Sequence, residues 1–389
     1  MQPFVRDRLT WLAYAMLAYL GFSQSILGPL MPFLRTELQL NYTLGGLLPA
    51  TLATGLILSG LISDELARRW SRRLVFWLGS LGLATGVILL ALSHNFESAL
   101  VAVLAMGTCS SLTQVMIQAI LSDRHAERRS IALTEANVAA SLSTTITPVV
   151  IGSLQSTGLG WRNVPVLVII FLTLLALIFY RQAIPDRPAA LTSSVEEQGH
   201  LPVAFWLYWI VLFFIVAVEM SVIVWATDFL DSVVGLSRTD AVLGYSAFPA
   251  AMLIGRIAGS RLTRRASSLR LLLSALGVTL MGFPLFWLAR LPALNILGLF
   301  ITGLGIANMY PLTLSIAIGV AQDQSNLASA RVSMGVGTAL LTAPLLLGWL
   351  ADRLSLQIAY GMVVVLMIVA FVLVAGSRGF SVRQAPSQP

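Results

Sequence analysis

The chain has 389 residues, 57% of them hydrophobic and 11% charged, with a mean hydropathy of +0.85. Soluble domains carry roughly 25% charged residues, so a water-soluble fold is excluded. The formal charge of +7 is built on arginine alone, with no lysine and no basic patch on a water-exposed domain, which excludes a nucleic-acid binder.

The apolar residues come in blocks of about twenty, the length of helix that crosses a hydrocarbon core of about 30 Å. The first, Trp11 to Leu34, follows Arg6 and Arg8 as a leader peptide would but has no A-x-A cleavage pattern, so it reads as a retained membrane helix. Further blocks run over Leu44 to Ile62, Val75 to Leu92, Leu100 to Leu121, Ile131 to Leu154 and Val164 to Tyr180. Cys109 lies in the fourth block, and a single cysteine allows neither an intramolecular disulfide nor a cysteine metal cluster. The polar stretch from Arg181, with Pro185, Pro188, Glu196 and Glu197, reads as a linker. Six more blocks follow: Val203 to Phe229, Ala241 to Leu262, Leu271 to Leu288, Leu294 to Val320, Leu327 to Leu350 and Ile358 to Ala375. The expected organisation is a six-helix bundle over 1–180, a linker over 181–202 and a second six-helix bundle with a short tail over 203–389.

Most arginines fall on one side of these twelve helices, in the clusters at 68–73, 124–129 and 261–270 and near both termini. Cytoplasmic loops carry the basic excess, so both termini and the linker are expected in the cytoplasm. The halves also repeat in one register. Arg68-Arg69 matches Arg264-Arg265, Gly107 matches Gly303, Pro148 matches Pro344 and Gly152 matches Gly348, each pair 196 apart (344 minus 148). Two homologous halves of parallel topology follow.

Between the second and third helices stands Gly60-Leu61-Ile62-Ser63-Asp64-Glu65-Leu66-Ala67-Arg68-Arg69-Trp70-Ser71-Arg72-Arg73, with a degenerate copy, Gly255 to Arg265, in the second half. It resembles the loop signature of the major facilitator superfamily, a glycine, an acid four residues on, then an arginine cluster. Glu65 and Ala67 depart from that pattern. The seventh and eighth helices also loosely resemble the fucose-permease branch. The resemblance implies an all-α membrane protein of two pseudo-symmetric six-helix bundles, with a central cavity lined by helices one, four, seven and ten.

Ionisable groups inside membrane helices are costly and invite a functional reading. Glu219, near the middle of the seventh helix, and Asp228, near its outer end, are the candidates for proton coupling; nine helical steps of about 100° put them on opposite faces. On the helices that the resemblance assigns to the cavity, Gln24, Ser111, Gln114, Gln118, Trp225, Asn308 and Tyr310 are candidate substrate contacts, with Ser23 and Ser25 beside Gln24. Hydrogen bonding between helices is the competing role for each polar one. Helix packing as in the superfamily implies a cytoplasmic gate in which Asp64 meets Arg331 and Glu135 meets Arg256; Glu135 and Arg331 are repeat mates.

No P-loop is present, and His94, His125 and His200 lack metal-ligand spacing, so ATP-driven pumping, metal sites and cofactors are not expected, nor is enzymatic activity. The cavity helices carry no mid-membrane arginine, which favours neutral or cationic solutes. The expectation is a monomeric secondary transporter in the inner membrane, moving a small organic solute, sugar-like in its polar contacts, by alternating access with protons. An efflux pump for amphipathic compounds, suggested by Trp225 as an aromatic stacking surface and by the apolar cavity walls, is one alternative, and a non-transporting sensor on the same scaffold is another.

Overall fold

The computed structural model describes residues 4–185, 201–263, 265–321 and 324–377, except the side chains of Leu61, Asp64, Ala67, Arg68, Glu127, Ser325 and Asn326. The expected linker therefore lies largely outside the described residues, as does the tail beyond 377.

Among the described residues the regular structure is helical, and twelve helices are long and apolar enough to cross a membrane. The chain divides into two compact units, residues 1–192 with Ser237–Ser246, and residues 193–236 with 247–389. In the first unit, α1 (Arg8–Gln24) and α2 (Leu27–Glu37) make the first span, followed by α3 (Tyr42–Arg69), α4 (Arg72–Leu92), α5 (Phe96–His125), α6 (Arg129–Ser156) and α7 (Val164–Phe179). The second half runs through α8 (Val203–Ser232), α9 (Arg238–Tyr245), α10 (Ala247–Leu262), α11 (Ser268–Leu288), α12 (Pro292–Ile306), α13 (Met309–Val320), α14 (Ser325–Arg353), α15 (Leu356–Ala359) and α16 (Gly361–Gly376).

Helices outrun the apolar blocks because polar residues cap them. Asp7, Asn41, Ser71 and Asn95 each accept a backbone N–H of the first turn of α1, α3, α4 and α5. That satisfies a donor which a helix leaves idle.

Four spans are interrupted; the last breaks at Tyr360 without a proline, and the other three break where a proline removes the fourth-residue donor: Pro29 for the Ser25 carbonyl, Pro249 for Tyr245 and Pro311 for Ala307. The three proline gaps lie at Ser25–Ile26, Ser246 and Ala307–Asn308. Pro49, Pro148, Pro284 and Pro344 stand inside helices that continue.

The two units pack alike. In the first, α1 lies on α6, α3 and α4 on α5, and α4 on α7; in the second, α8 lies on α14, α10 and α11 on α12, and α11 on α16. The repeat register reappears in the close contacts. A Cβ on Gly107 would strike the Leu52 carbonyl, and one on Gly303 would come 2.6 Å from the Phe248 carbonyl, with both members of the second pair 196 residues after those of the first (303 minus 107, 248 minus 52). Gly86 against Met106 and Gly282 against Thr302 follow the same offset. Small residues let membrane helices approach at van der Waals distance, and that contact replaces the hydrophobic drive missing in lipid.

One segment departs from the sequence order. α9 belongs to the first unit, where it packs on α6 and α2. Ser237 caps it, accepting from the Asp240 N–H and donating to its carboxylate at 2.6 Å. Val242 is fully buried in the first unit's core, and Leu243 fills the space over Gly152.

Candidate functional site

The acid at mid-membrane sits on α8, which runs unbroken from Val203 to Ser232. Glu219 is half-buried, and two groups of its own unit lie within electrostatic reach, the Arg256 guanidinium on α10 and the Tyr310 phenol on α13. Tyr310 stands in the first turn of α13, just past the interruption at Asn308. Carboxylate, guanidinium and phenol together can hold a proton, release it, or bind a polar group in competition with it. Asp228 is 2% exposed and engaged by neighbours. The opposite faces expected for the two acids follow from the continuity of α8.

The polar candidates divide into engaged and idle. The Ser111 hydroxyl donates to the Leu56 carbonyl at 3.1 Å, and Asn308 donates to the Gly255 carbonyl at 2.6 Å, both ties between helices of one unit. Ser25 donates to the Thr147 hydroxyl at 2.8 Å. Trp225, expected as a stacking surface, is fully buried, and its indole N–H donates to the Pro344 carbonyl at 3.0 Å. It offers no ring face to a solute. Gln114 is half-buried and Gln118 exposed, and among the described residues neither forms a hydrogen bond. Gln24 leaves its amide nitrogen buried and without a partner.

Among the gate residues, Glu135 holds a two-point ion pair with Arg6, at 2.8 and 2.6 Å, and accepts from the Tyr14 hydroxyl at 3.0 Å. Those partners all lie in its own unit, in place of the Arg256 expected from the repeat. The reason is reach: the residues just before α1 lie against the end of α5, through Arg124, and the start of α6, through Glu135. Arg331 is exposed, and its backbone carbonyl accepts the Trp209 indole N–H at 2.7 Å. The side chain of Asp64 lies outside the described residues.

Sequence reasoning missed the network around that N-terminal arm. Asp7 accepts from the Thr10 N–H and hydroxyl and from Arg124. Because Thr10 gives its proton to Asp7, the His125 Nε2 at 2.8 Å donates to Thr10. Burial alone would raise the Asp7 carboxyl; the donors from Thr10 and Arg124 outweigh it and hold the group below its usual value. Arg72, one of the loop arginines, is only 5% exposed and pairs with Asp123 at 2.7 Å. The Asp7–Thr10 spacing of an N-cap was the available signal.

Set against known families, residues 13–324 match the Major Facilitator Superfamily. The chain belongs to this superfamily. Among relatives in the superfamily is an uncharacterised MFS-type transporter of Yersinia pestis, 24% identical over 354 residues, 90% of each chain. Similar solved structures include a bacterial homologue of the human lysosomal transporter Spinster, at TM-score 0.77 and 17% identity over 99% of this chain and all of that one. A variant of the nucleoside transporter NupG gives TM-score 0.76 at 12% identity, covering 95% and 99% of the two chains. The human organic anion transporter MFSD10 gives 0.67 at 16%, covering 96% and 100%. At such identities the structures establish a shared superfamily fold. Family and fold are those of membrane transporters, and the twelve apolar helices make this a multi-pass membrane protein.

Proposed function

We propose that the chain is a secondary active transporter that moves a small neutral or cationic organic solute by alternating access and couples it to protons through Glu219. The observation that carries the reading is Glu219 itself, a half-buried acid in the middle of the unbroken, membrane-spanning α8, with Arg256 and Tyr310 of the same unit within electrostatic reach. A mid-membrane acid is expensive and is retained where it does work. In general apolar surroundings favour a neutral acid and a guanidinium favours the ionised one, and a cycling acid must pass between the two. A solute group that takes over Arg256 or Tyr310 tips the balance, which is coupling in its simplest form. Asp228, partnered and buried, is the reserve acid.

Orientation follows the arginine bias, with the inner membrane as the location and both termini cytoplasmic. The gate pairs Asp64 with Arg331 and Glu135 with Arg256 remain part of this reading. Glu135 must leave Arg6 and Tyr14 to reach Arg256, so the proposal assigns that pair to a different state of the transport cycle. The burial of Trp225 removes the aromatic surface that favoured efflux of amphipathic compounds.

Proteoliposomes loaded with a pH dye test the coupling. With uridine, methyl glucoside and tetraphenylphosphonium as probes, the solute that shows counterflow should also move protons. Glu219→Gln should abolish uphill accumulation while leaving exchange largely intact, because the amide keeps hydrogen bonding but cannot cycle a proton. Unchanged accumulation would remove Glu219 from the mechanism.

A further inference from the structure

Membrane helices satisfy their polar groups internally, and a buried donor left idle is destabilising. Ser23, Ser59 and Thr227 leave idle hydroxyl oxygens, and Asn295 leaves only its acceptor oxygen, its amide nitrogen being spent on the Phe286 carbonyl. Gln324 likewise leaves an acceptor oxygen, and the Arg35 Nε makes no hydrogen bond but belongs to a guanidinium that lies over the Tyr42 ring, 3.4 Å from its centroid. At Gln24 the idle atom is a neutral amide nitrogen, which carries two N–H donors.

The local chemistry explains why the protein does not use them. Gln24 is the last residue of α1, at the interruption produced by Pro29. The acceptors next to it are taken by short hydroxyl side chains. The single Ser25 hydroxyl proton is shared between the Phe22 carbonyl at 3.1 Å and the Thr147 hydroxyl at 2.8 Å, and Thr147 donates to the Ser143 carbonyl at 2.9 Å. The Ser25 carbonyl has no helical donor, because its partner position is Pro29. The interruption thus places the idle Gln24 donor beside a carbonyl that lacks its helical donor, on consecutive residues of the first span.

We infer that the Gln24 amide is a specificity-determining donor whose missing acceptor is supplied by the solute. The inference rests on the transport reading above and narrows it: the solute carries a carbonyl or hydroxyl oxygen for Gln24, and a hydroxyl or amide N–H fits the adjacent Ser25 carbonyl as well. A lipophilic cation without hydrogen-bond acceptors leaves the donor idle and is excluded as the preferred cargo. A site built to bond one polar group discriminates strongly against analogues that lack it, because the idle group stays buried.

The test separates a solute contact from a structural one. Gln24→Met keeps the side-chain length and removes the donor, and Gln24→Leu serves as a second variant should Met fold poorly. Purified full-length protein is melted alone and with uridine, methyl glucoside or tetraphenylphosphonium, and counterflow is measured with the same three probes. The expected result is a melting temperature without added solute that rises by roughly 2–4 °C, since an idle buried donor is gone. At the same time the affinity for the acceptor-bearing probe that stabilises the wild type falls about tenfold. A lowered melting temperature for both variants makes Gln24 structural and overturns the inference. So does undiminished binding of that probe, or a wild type that responds to tetraphenylphosphonium alone; in both cases transport still stands. If none of the three probes stabilises the wild type or shows counterflow, the transport reading for this solute class fails and the inference falls with it.

Discussion

Replacing Trp225 by Phe separates packing from substrate recognition at the residue whose role changed most between sequence and structure. The indole is fully buried on α8 and donates to the Pro344 carbonyl on α14 at 3.0 Å. Phe removes that donor but leaves no orphan, because the Pro344 carbonyl keeps its helical donor at Gly348. The lost hydrogen bond then costs about 1 kcal/mol. The smaller ring leaves part of the indole space empty, which adds about 1–2 kcal/mol, well under the 3–5 of a Trp→Ala truncation. The sum, about 2–3 kcal/mol, corresponds to a melting temperature lower by roughly 2–4 °C in a chain of this size. Thermal unfolding in detergent, followed with counterflow of the active probe, is the assay. The expected result is a clear loss of stability with the probe's affinity unchanged. An unaltered melting temperature with weakened binding would refute the reasoning, returning Trp225 to the solute.

Three further outcomes follow from contacts described above. Gly282→Ala sets a Cβ 2.6 Å from the Thr302 backbone nitrogen and should cost about 1–3 kcal/mol, whereas in its repeat mate Gly86→Ala the first atom met is the flexible Met106 Cγ, so the loss should be the smaller of the two in parallel melts. Gly335→Ala sets a Cβ 2.8 Å from the Trp209 indole, which should break its hydrogen bond to the Arg331 carbonyl and shift the tryptophan emission, with a loss of about 1–2 kcal/mol. Asp7→Asn keeps the helix cap and loses the Arg124 ion pair, and Asp7→Ala loses both, about 1 kcal/mol more. Because the folded Asp7 carboxyl is depressed, its contribution is fully present above the unfolded value of about 4 and disappears as pH falls through the folded one, so the gap between wild type and Asp7→Asn should hold from pH 8 to 5 and close only in stronger acid.

The twelve spans and the repeat were legible because lipid imposes length and polarity on every crossing segment. Gly107 with Gly303, and Gly86 with Gly282, keep one register because close helix contacts tolerate little else. Three kinds of feature were not legible. Pro29, Pro249 and Pro311 interrupt their spans while Pro148 and Pro344 do not, and the difference lies in packing rather than in local sequence. Ser111, Asn308 and Trp225 carry the same side chains whether they meet a solute or a neighbouring helix, and only the fold shows the Leu56, Gly255 and Pro344 carbonyls waiting for them. The partner of Glu135 came from the arm before α1, which no repeat argument includes, since the second half's counterpart of that arm is the linker.

The membership of α9 in the first unit bears on how the protein is made. When the sixth span has left the ribosome, the core of that unit still lacks Val242, and the face of α6 at Gly152 still lacks Leu243. The newborn first half therefore waits, with an apolar notch open, until some sixty residues more have been synthesised, through the linker and the whole of α8, a count that follows from the distance between Phe179 and Arg238 (238 minus 179). Two polypeptides divided at the linker would not be two finished halves: the first would be short of one helix that the second must lend it.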